Sequence, residues 1–452
     1  MSETLTQPEP PRVQPPAHWW SGLTGRQWLV LIVAYLGWVF DIMDVYLLTL
    51  VKDPCMTDLL GKGATKEDVA TYSGLALSLT LIGWSIGGLI FGVVADRWGR
   101  SRTMALTIII YSVFTGLAGF AQNWWQLFIF RFIAALGIGG EWSAGASLIA
   151  EVFPLRSRAV AAGILQSASA TGFFAATFLW RIVGGYFTGP DAWRYMFFAG
   201  AIPALLAVVV RMGVHEPETW VAAKKKGSND VGSLGAVFGD RELRRRTLLG
   251  TALATIGIFA YWGTTYWGPE SLKEVLAGLG IDSKSVEFKD KMFWGLQLFH
   301  VGILTGFLIY IPITGKVGRR WAFGLFYLAS AISLPVAFLF AKTYASWLVL
   351  FFIGGMFSSG IYSGYTIYFP ELFPTRVRAT GAGFCYNVGR VVAAPGPFLA
   401  GILLGWFGTR SVTGAVIGAV YILGLLVIPF LPETQHVRTD VENDDTAKAA
   451  AH

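Results

Sequence analysis

Glu151-Val-Phe-Pro-Leu-Arg156-Ser-Arg158-Ala159 returns as Glu371-Leu-Phe-Pro-Thr-Arg376-Val-Arg378-Ala379, 220 positions further on (371 less 151). Gly99-Arg100 returns as Gly318-Arg319 at an offset of 219 (318 less 99). Two separate segments at nearly one offset mark an internal duplication. Outward from them, apolar runs of about 20 residues, the length that crosses a ~30 Å hydrocarbon layer, recur in order. They lie near 28–51, 71–95, 102–121, 124–150, 158–181 and 193–212, then 248–268, 292–315, 321–341, 345–370, 378–405 and 411–431. The spacing predicts an all-α membrane protein of twelve transmembrane helices in two six-helix bundles. The expected segments are a tail (1–27), a first bundle (28–212), a linker (213–247), a second bundle (248–431) and a second tail (432–452). A parallel repeat of this kind puts a ligand site near the midplane, between the halves.

Composition agrees, since 54% hydrophobic residues with 14% charged does not suit a soluble chain. The net charge of +7 is concentrated in Lys224-Lys225-Lys226, Arg244-Arg245-Arg246 and the loops after helices two, four, eight and ten. All fall on one side of the membrane if both termini are cytoplasmic, as the positive-inside bias requires. The surplus is then an orientation signal, and no nucleic-acid partner is expected. The residues up to about Trp19 lack an apolar core behind a basic start, so a cytoplasmic tail rather than a cleaved leader is expected. Cys55 and Cys385 provide no disulfide framework or metal spacing, and no nucleophile–base set or phosphate-binding glycine loop occurs. A transporter without metal or cofactor is therefore expected, and not an enzyme.

Gly92-Val-Val-Ala-Asp96-Arg97-Trp-Gly99-Arg100-Ser-Arg102 resembles the helix 2–3 signature of the major facilitator superfamily. The resemblance implies a twelve-helix fold and a cytoplasmic gate built from Gly92, Asp96, Arg97, Gly99, Arg100, Glu151, Arg158, Glu371 and Arg378. In the second copy Gly315 stands where the first has Asp96, so a weaker latch is expected there. Glu216-Pro-Glu218-Thr-Trp220 and Pro432-Glu433-Thr434 resemble the sugar-porter end motifs, but the seventh helix lacks the sugar-binding glutamines. Phe40-Asp41-Ile-Met-Asp44-Val-Tyr46, Gly137-Ile-Gly-Gly-Glu141-Trp142 and Asn387-Val-Gly-Arg390 look more like the organic-acid–proton symporters of the sialate and lactate permease branch. That resemblance implies a symporter driven by the proton gradient and working by alternating access. Its cargo is a small organic anion, a monocarboxylate such as lactate or pyruvate, with sugar, polyol, sialate or aromatic acid as alternatives. It also implies a multi-pass protein of the bacterial inner membrane, functional as a monomer.

Ionisable groups inside a bilayer cost ~2.5–3.5 kcal/mol on insertion scales, so each has a partner or a task. A rise of ~1.5 Å per residue puts Asp41, Asp44 and Arg131 at one level in the first bundle. By resemblance to proton-coupled sugar symporters, Asp44 is the proton carrier and Arg131 tunes it, with Asp41 as understudy. A permanent salt bridge between helices one and four is the alternative. Glu141 is read either as a second protonation site or as a neutral hydrogen-bonded carboxyl. Arg390, with no charge at its repeat position Ala170, suits carboxylate recognition, because a guanidinium keeps its charge when buried and offers a bidentate fork; pairing with an Asp or Glu is the alternative. Asn387 lies one turn away. Gln166, Tyr261, Trp262, Thr264, Thr265, Tyr266, Tyr362 and Tyr386 complete the expected cavity wall, His300 is read either as a hydrogen-bonded core residue or as a substrate or proton contact, and Arg181 is read as an interfacial residue.

Overall fold

The computed structural model describes residues 18–187, 189–211, 213, 214, 216, 220, 221, 233–283, 285–394, 403 and 406–435. The expectations placed on Glu218, on Lys224-Lys225-Lys226 and on the outer parts of both tails lie outside these residues, as does the side chain of Tyr266. Among the described residues the secondary structure is helical, with no strand. The first half comprises α1 (Gly25–Leu60), α2 (Lys66–Trp98), α3 (Arg100–Ala118), α4 (Trp124–Val152), α5 (Leu155–Tyr186) and α6 (Ala192–Arg211). The second comprises α7 (Arg241–Gly278), α8 (Val286–Val317), α9 (Arg319–Phe340), α10 (Tyr344–Glu371), α11 (Arg378–Ala393) and α12 (Arg410–Ala419, continued by short turns to Phe430). Ten described helices are long and apolar enough to cross a membrane. The expected span 378–405 is described only as far as Ala394, apart from Leu403.

Local chemistry sets the helix ends, and several overshoot the apolar runs. Thr24 and Thr65 open α1 and α2 with capping boxes closed by Gln27 and Asp68. An Asp240 carboxylate oxygen accepts from the Leu243 N–H at 2.8 Å, so α7 starts at Arg241 rather than near 248. Arg244-Arg245-Arg246, expected in the linker, therefore lies in its first turns. The α1 helix runs on to Leu60, beyond the expected end near 51, because its last turns still bury Cys55 and Met56 in the bundle.

The duplication extends to the packing. A Cβ on Gly83 would meet the Phe132 carbonyl at 2.7 Å, and one on Gly302 would meet the Phe352 carbonyl at 2.5 Å. One turn on, Gly87 lies directly against the Leu136 backbone and Gly306 against that of Met356. Both contacts bring α2 onto α4 and α8 onto α10 by the small-residue approach that suits helices without a hydrophobic drive between them. The halves meet where α2 packs on α11 and α5 on α8.

Gly99 and Gly318 divide α2 from α3 and α8 from α9 with φ of 126° and 87°, a region other residues avoid. Neither supplies a side-chain cap. A carboxylate from the end of each half does so instead. Glu216 accepts from the Arg100 and Arg102 N–H groups (2.7 and 3.1 Å), and Glu433 from those of Arg319 and Arg320 (2.9 and 3.2 Å). Partial burial would raise the Glu433 carboxyl, but backbone N–H donors from Arg319, Arg320, Gln435 and Thr434 hold it below the ordinary range. The end motifs are thus anion caps at helix N-termini.

Candidate functional site

Three layers of side chains make up the site. The first, on the face that carries both described termini, is a shut latch. Asp96 pairs with Arg100 at 2.7 Å, and Arg100 with Glu151 at 2.9 Å. Arg378, from the second half, approaches Glu151 at 3.7 Å. Asp96 also accepts from the Thr380 N–H and hydroxyl at 2.8 and 2.6 Å, which places its carboxylate at the N-terminus of α11. The Trp220 indole donates to the Asp96 carbonyl at 2.7 Å. Gly92 permits this closure, since a Cβ there would meet the Ala379 carbonyl at 3.2 Å. Arg158 is buried and donates to the Phe153 carbonyl at 3.4 Å, whereas Arg97 is exposed. In the second copy Arg319 pairs with Glu371 at 3.0 Å and the Thr434 hydroxyl donates to Glu371 at 2.6 Å, all within one half. With Gly315 in place of an Asp, the Asp96–Thr380 bond across the halves has no counterpart at that position.

Asp96→Asn leaves Thr380 an acceptor but strips Arg100 of one of its carboxylates. It is expected to speed, several-fold, labelling of a Ser143→Cys probe by a thiol reagent applied from this face, in a Cys55→Ser, Cys385→Ala background. An unchanged rate would mean that the latch does not hold the halves shut.

The second layer is the midplane of the first half. Arg131 Nη1 donates to both oxygens of Asp44, at 3.0 and 2.9 Å, and the Thr115 hydroxyl donates to Asp44 Oδ1 at 2.7 Å. The structure thus brings together α1, α3 and α4 on one buried carboxylate. Arg131 also lies over the Phe197 ring at 5.4 Å. Asp41, one turn before Asp44, is fully buried. Glu141 accepts from the Thr107 hydroxyl at 3.4 Å, between α4 and α3.

The third layer surrounds Arg390. Its guanidinium carbon lies 3.8 Å from the Trp84 ring centroid and 4.2 Å from that of Tyr386, so both faces are covered by rings. Nη1 donates to Asn387 Oδ1 at 2.9 Å, and Asn387 is itself fixed by a bond to the Gly383 carbonyl at 2.8 Å. Tyr386 stacks on Trp142 at 3.9 Å, Tyr362 meets Tyr386 at 6.1 Å, and Tyr261 meets Tyr362 at 4.6 Å. Asn387, Tyr386, Tyr362 and Tyr261 thus gather at Arg390 as one cluster. Trp84 and Trp142 were not singled out as wall residues, since a Trp within an apolar run carries no distinguishing pattern.

Three of the expected site residues are tied into the packing. Gln166 Oε1 accepts from Thr366 and Trp142 at 2.7 and 3.3 Å, and its Nε2 donates to Ser169 at 3.1 Å. Its amide ties α4, α5 and α10 together. The His300 ring stacks on Phe173 at 5.3 Å and touches Tyr46, Phe174 and Phe299, an aromatic contact between the halves away from the Arg390 cluster. Thr264 lies buried, with its hydroxyl bonded to the Ala260 and Tyr261 carbonyls of its own helix. Arg181, read as interfacial, joins Asp290 of α8 at 3.3 Å over the Phe293 ring.

On the face away from the termini, a cavity of about 330 Å³ opens between α1, α2, α5, α7 and α8. Tyr46, Thr80, Thr177, Trp262 and Thr265 line it, with Lys52, Asp53, Glu270, Lys273 and Lys289 also on its wall. Trp262 meets Trp84 edge-on at 6.2 Å and so stands between this cavity and Arg390. The latch is closed on one face while the opposite face is partly open.

A family model described as "Sugar (and other) transporter" matches residues 36–247, and one described as "Major Facilitator Superfamily" matches residues 292–450. Over 432 residues the chain is 30% identical to a protein of Cupriavidus pinatubonensis named "Probable 4-methylmuconolactone transporter", covering 95% of this chain and 96% of that one. It is 29% identical over 418 residues to the sialic acid transporter NanX of Escherichia coli, covering 91% and 96%. Among solved structures, the proton:xylose symporter XylE superposes with a TM-score of 0.77 at 18% identity, over 90% of this chain and 96% of that one.

Proposed function

This chain belongs to the major facilitator superfamily, and from that premise we propose that it is a proton-coupled symporter of a small organic anion. That it is a multi-pass membrane transporter and not an enzyme follows from the family itself. The anion is our reading, and one observation carries it. Arg390 is a buried guanidinium held flat by two rings and steadied by Asn387, with its Nε left without a hydrogen-bond partner among the described residues. A fork held in this way is suited to a carboxylate arriving in its plane. The relatives named for 4-methylmuconolactone and sialic acid handle carboxylic acids, which agrees with this reading. The finer reading is a monocarboxylate such as lactate or pyruvate.

Proton coupling rests on Asp44. Protonation would dissolve its charge pairing with Arg131 and free α1 from α4, and a proton and a carboxylate entering together add no net charge to the site as the halves rock. Asp41, Arg131 and Glu141 are the further members of this proton-coupling set. The basic rim assigns the latch face and both termini to the cytoplasm, so the shut latch with a cavity opposite corresponds to an outward-facing state. The bacterial relatives support the inner membrane as its location. Both halves of the site lie in one chain, so a monomer suffices.

Purified protein is expected to gain thermal stability with organic acids, tested as lactate, pyruvate, sialate and aromatic acids, and not with hexoses. In proteoliposomes, acid outside should drive accumulation of the stabilising acid, and a protonophore should collapse it. Stabilisation by hexoses alone would sink the anion reading. Accumulation indifferent to the protonophore would sink the coupling.

A further inference from the structure

Four hydrogen-bond donors in the Arg390 cluster have no acceptor among the described residues: Arg390 Nε, Trp84 Nε1, Trp262 Nε1 and Tyr362 Oη. Their side chains are joined through rings, Arg390 over Trp84 and Tyr386, Trp84 against Trp262, and Tyr386 against Tyr362. Buried polar atoms are ordinarily satisfied, so orphans of one kind gathered in one place define what a ligand must bring. These four atoms are donors, so what they lack is an acceptor. Asn387 Oδ1 is an acceptor the cluster does supply, and it takes Arg390 Nη1. A carboxylate on the Arg390 fork occupies that one position, and leaves the indole N–H of Trp262, on the far side of Trp84, without a partner.

We infer that the transported acid carries, besides the carboxylate held by Arg390, a second and remote oxygen acceptor such as a carbonyl, lactone or further carboxylate, which is read by the Trp262 and Trp84 indoles and the Tyr362 hydroxyl. The body joining the two poles is apolar, because rings make up the walls between them. A three-carbon acid offers no acceptor at that remove. The inference rests on the anion reading above and narrows its substrate class. Trp262 also lines the outer cavity, so the residue that reads the second pole stands at the boundary between that cavity and Arg390. It is a positioning and specificity residue.

The test uses an isosteric pair, 4-acetylbenzoate and 4-isopropylbenzoate, which differ at the far end by a carbonyl oxygen against a methyl group. Binding to the full-length protein is read by thermal stabilisation and by competition for uptake, with lactate and xylose as references. The expected result is about tenfold tighter binding of 4-acetylbenzoate. Trp262→Phe, which keeps a ring but removes the N–H, should erase that preference without weakening 4-isopropylbenzoate. Tyr362→Phe serves as a second variant if Trp262→Phe does not fold. Equal binding of the pair, or an unchanged preference in both variants, overturns the inference. Lactate binding tighter than either benzoate overturns it too, while leaving the anion reading intact. Xylose binding with no acid binding defeats the anion reading itself.

Discussion

Asp44→Asn is expected to abolish proton-driven accumulation while leaving exchange of labelled for unlabelled substrate across the same proteoliposomes. Asparagine has the shape of the protonated acid and cannot release a proton, so the transporter would be fixed in its loaded electrostatic state. Exchange needs only rocking of the loaded carrier, whereas net uptake needs the empty carrier to return in the other protonation state. The geometry makes the effect large. Arg131 donates to both Asp44 oxygens and Thr115 to one, so a single carboxylate holds α1, α3 and α4. The competing view is a static bridge, and the same variant separates the two. Breaking a buried pair by removing one partner typically costs about 3–5 kcal/mol, because the other charge is left uncompensated. A purely structural pair would therefore show a lower melting temperature, with surviving protein still accumulating substrate under a proton gradient. Retained protonophore-sensitive accumulation by folded Asp44→Asn protein would falsify the carrier assignment.

Arg390→Gln is expected to weaken anion binding by about 2–5 kcal/mol, roughly 30- to 5,000-fold in Kd, the usual range for truncating one member of a buried charge pair. The guanidinium is fixed on both faces and along one edge, by Trp84, Tyr386 and Asn387, so little ordering remains to be done when the carboxylate arrives. Glutamine loses the charge and the fork together. Arg390→Lys keeps a charge but loses planarity and stacking, and should fall between the two. Binding isotherms for wild type, Arg390→Lys and Arg390→Gln would give that order. An Arg390→Gln affinity within about threefold of wild type would remove Arg390 from the anion site.

Much of the site could be read along the chain because a helix converts residue number into depth. Asp44 and Arg131 were expected at one level, and they meet there. The latch was legible because its motif is local, and because the Gly315 substitution in the second copy removes a charge visible in the sequence. Azimuth was harder. Asp41 and Asp44 lie at neighbouring positions on one helix, and it is the rotation of α1 in the bundle that brings Asp44 onto Arg131. Gln166 had the right depth for a cavity wall, but its amide knits three helices, and His300, for which a core place and a ligand contact were both open, fills an aromatic contact. Trp84 could not be recognised from an apolar run in which any residue might face lipid, core or ligand.

The sequence by itself determined the duplication, the helix count, the basic rim and the small set of charges inside the membrane, because length, period and the cost of buried charge are properties of the chain alone. The tertiary structure decided which of those charges are partners, that both faces of Arg390 are covered by rings, and that the latch face is shut while the other is partly open. Those facts depend on helix rotation and on contacts between segments more than 200 residues apart, which no local pattern encodes.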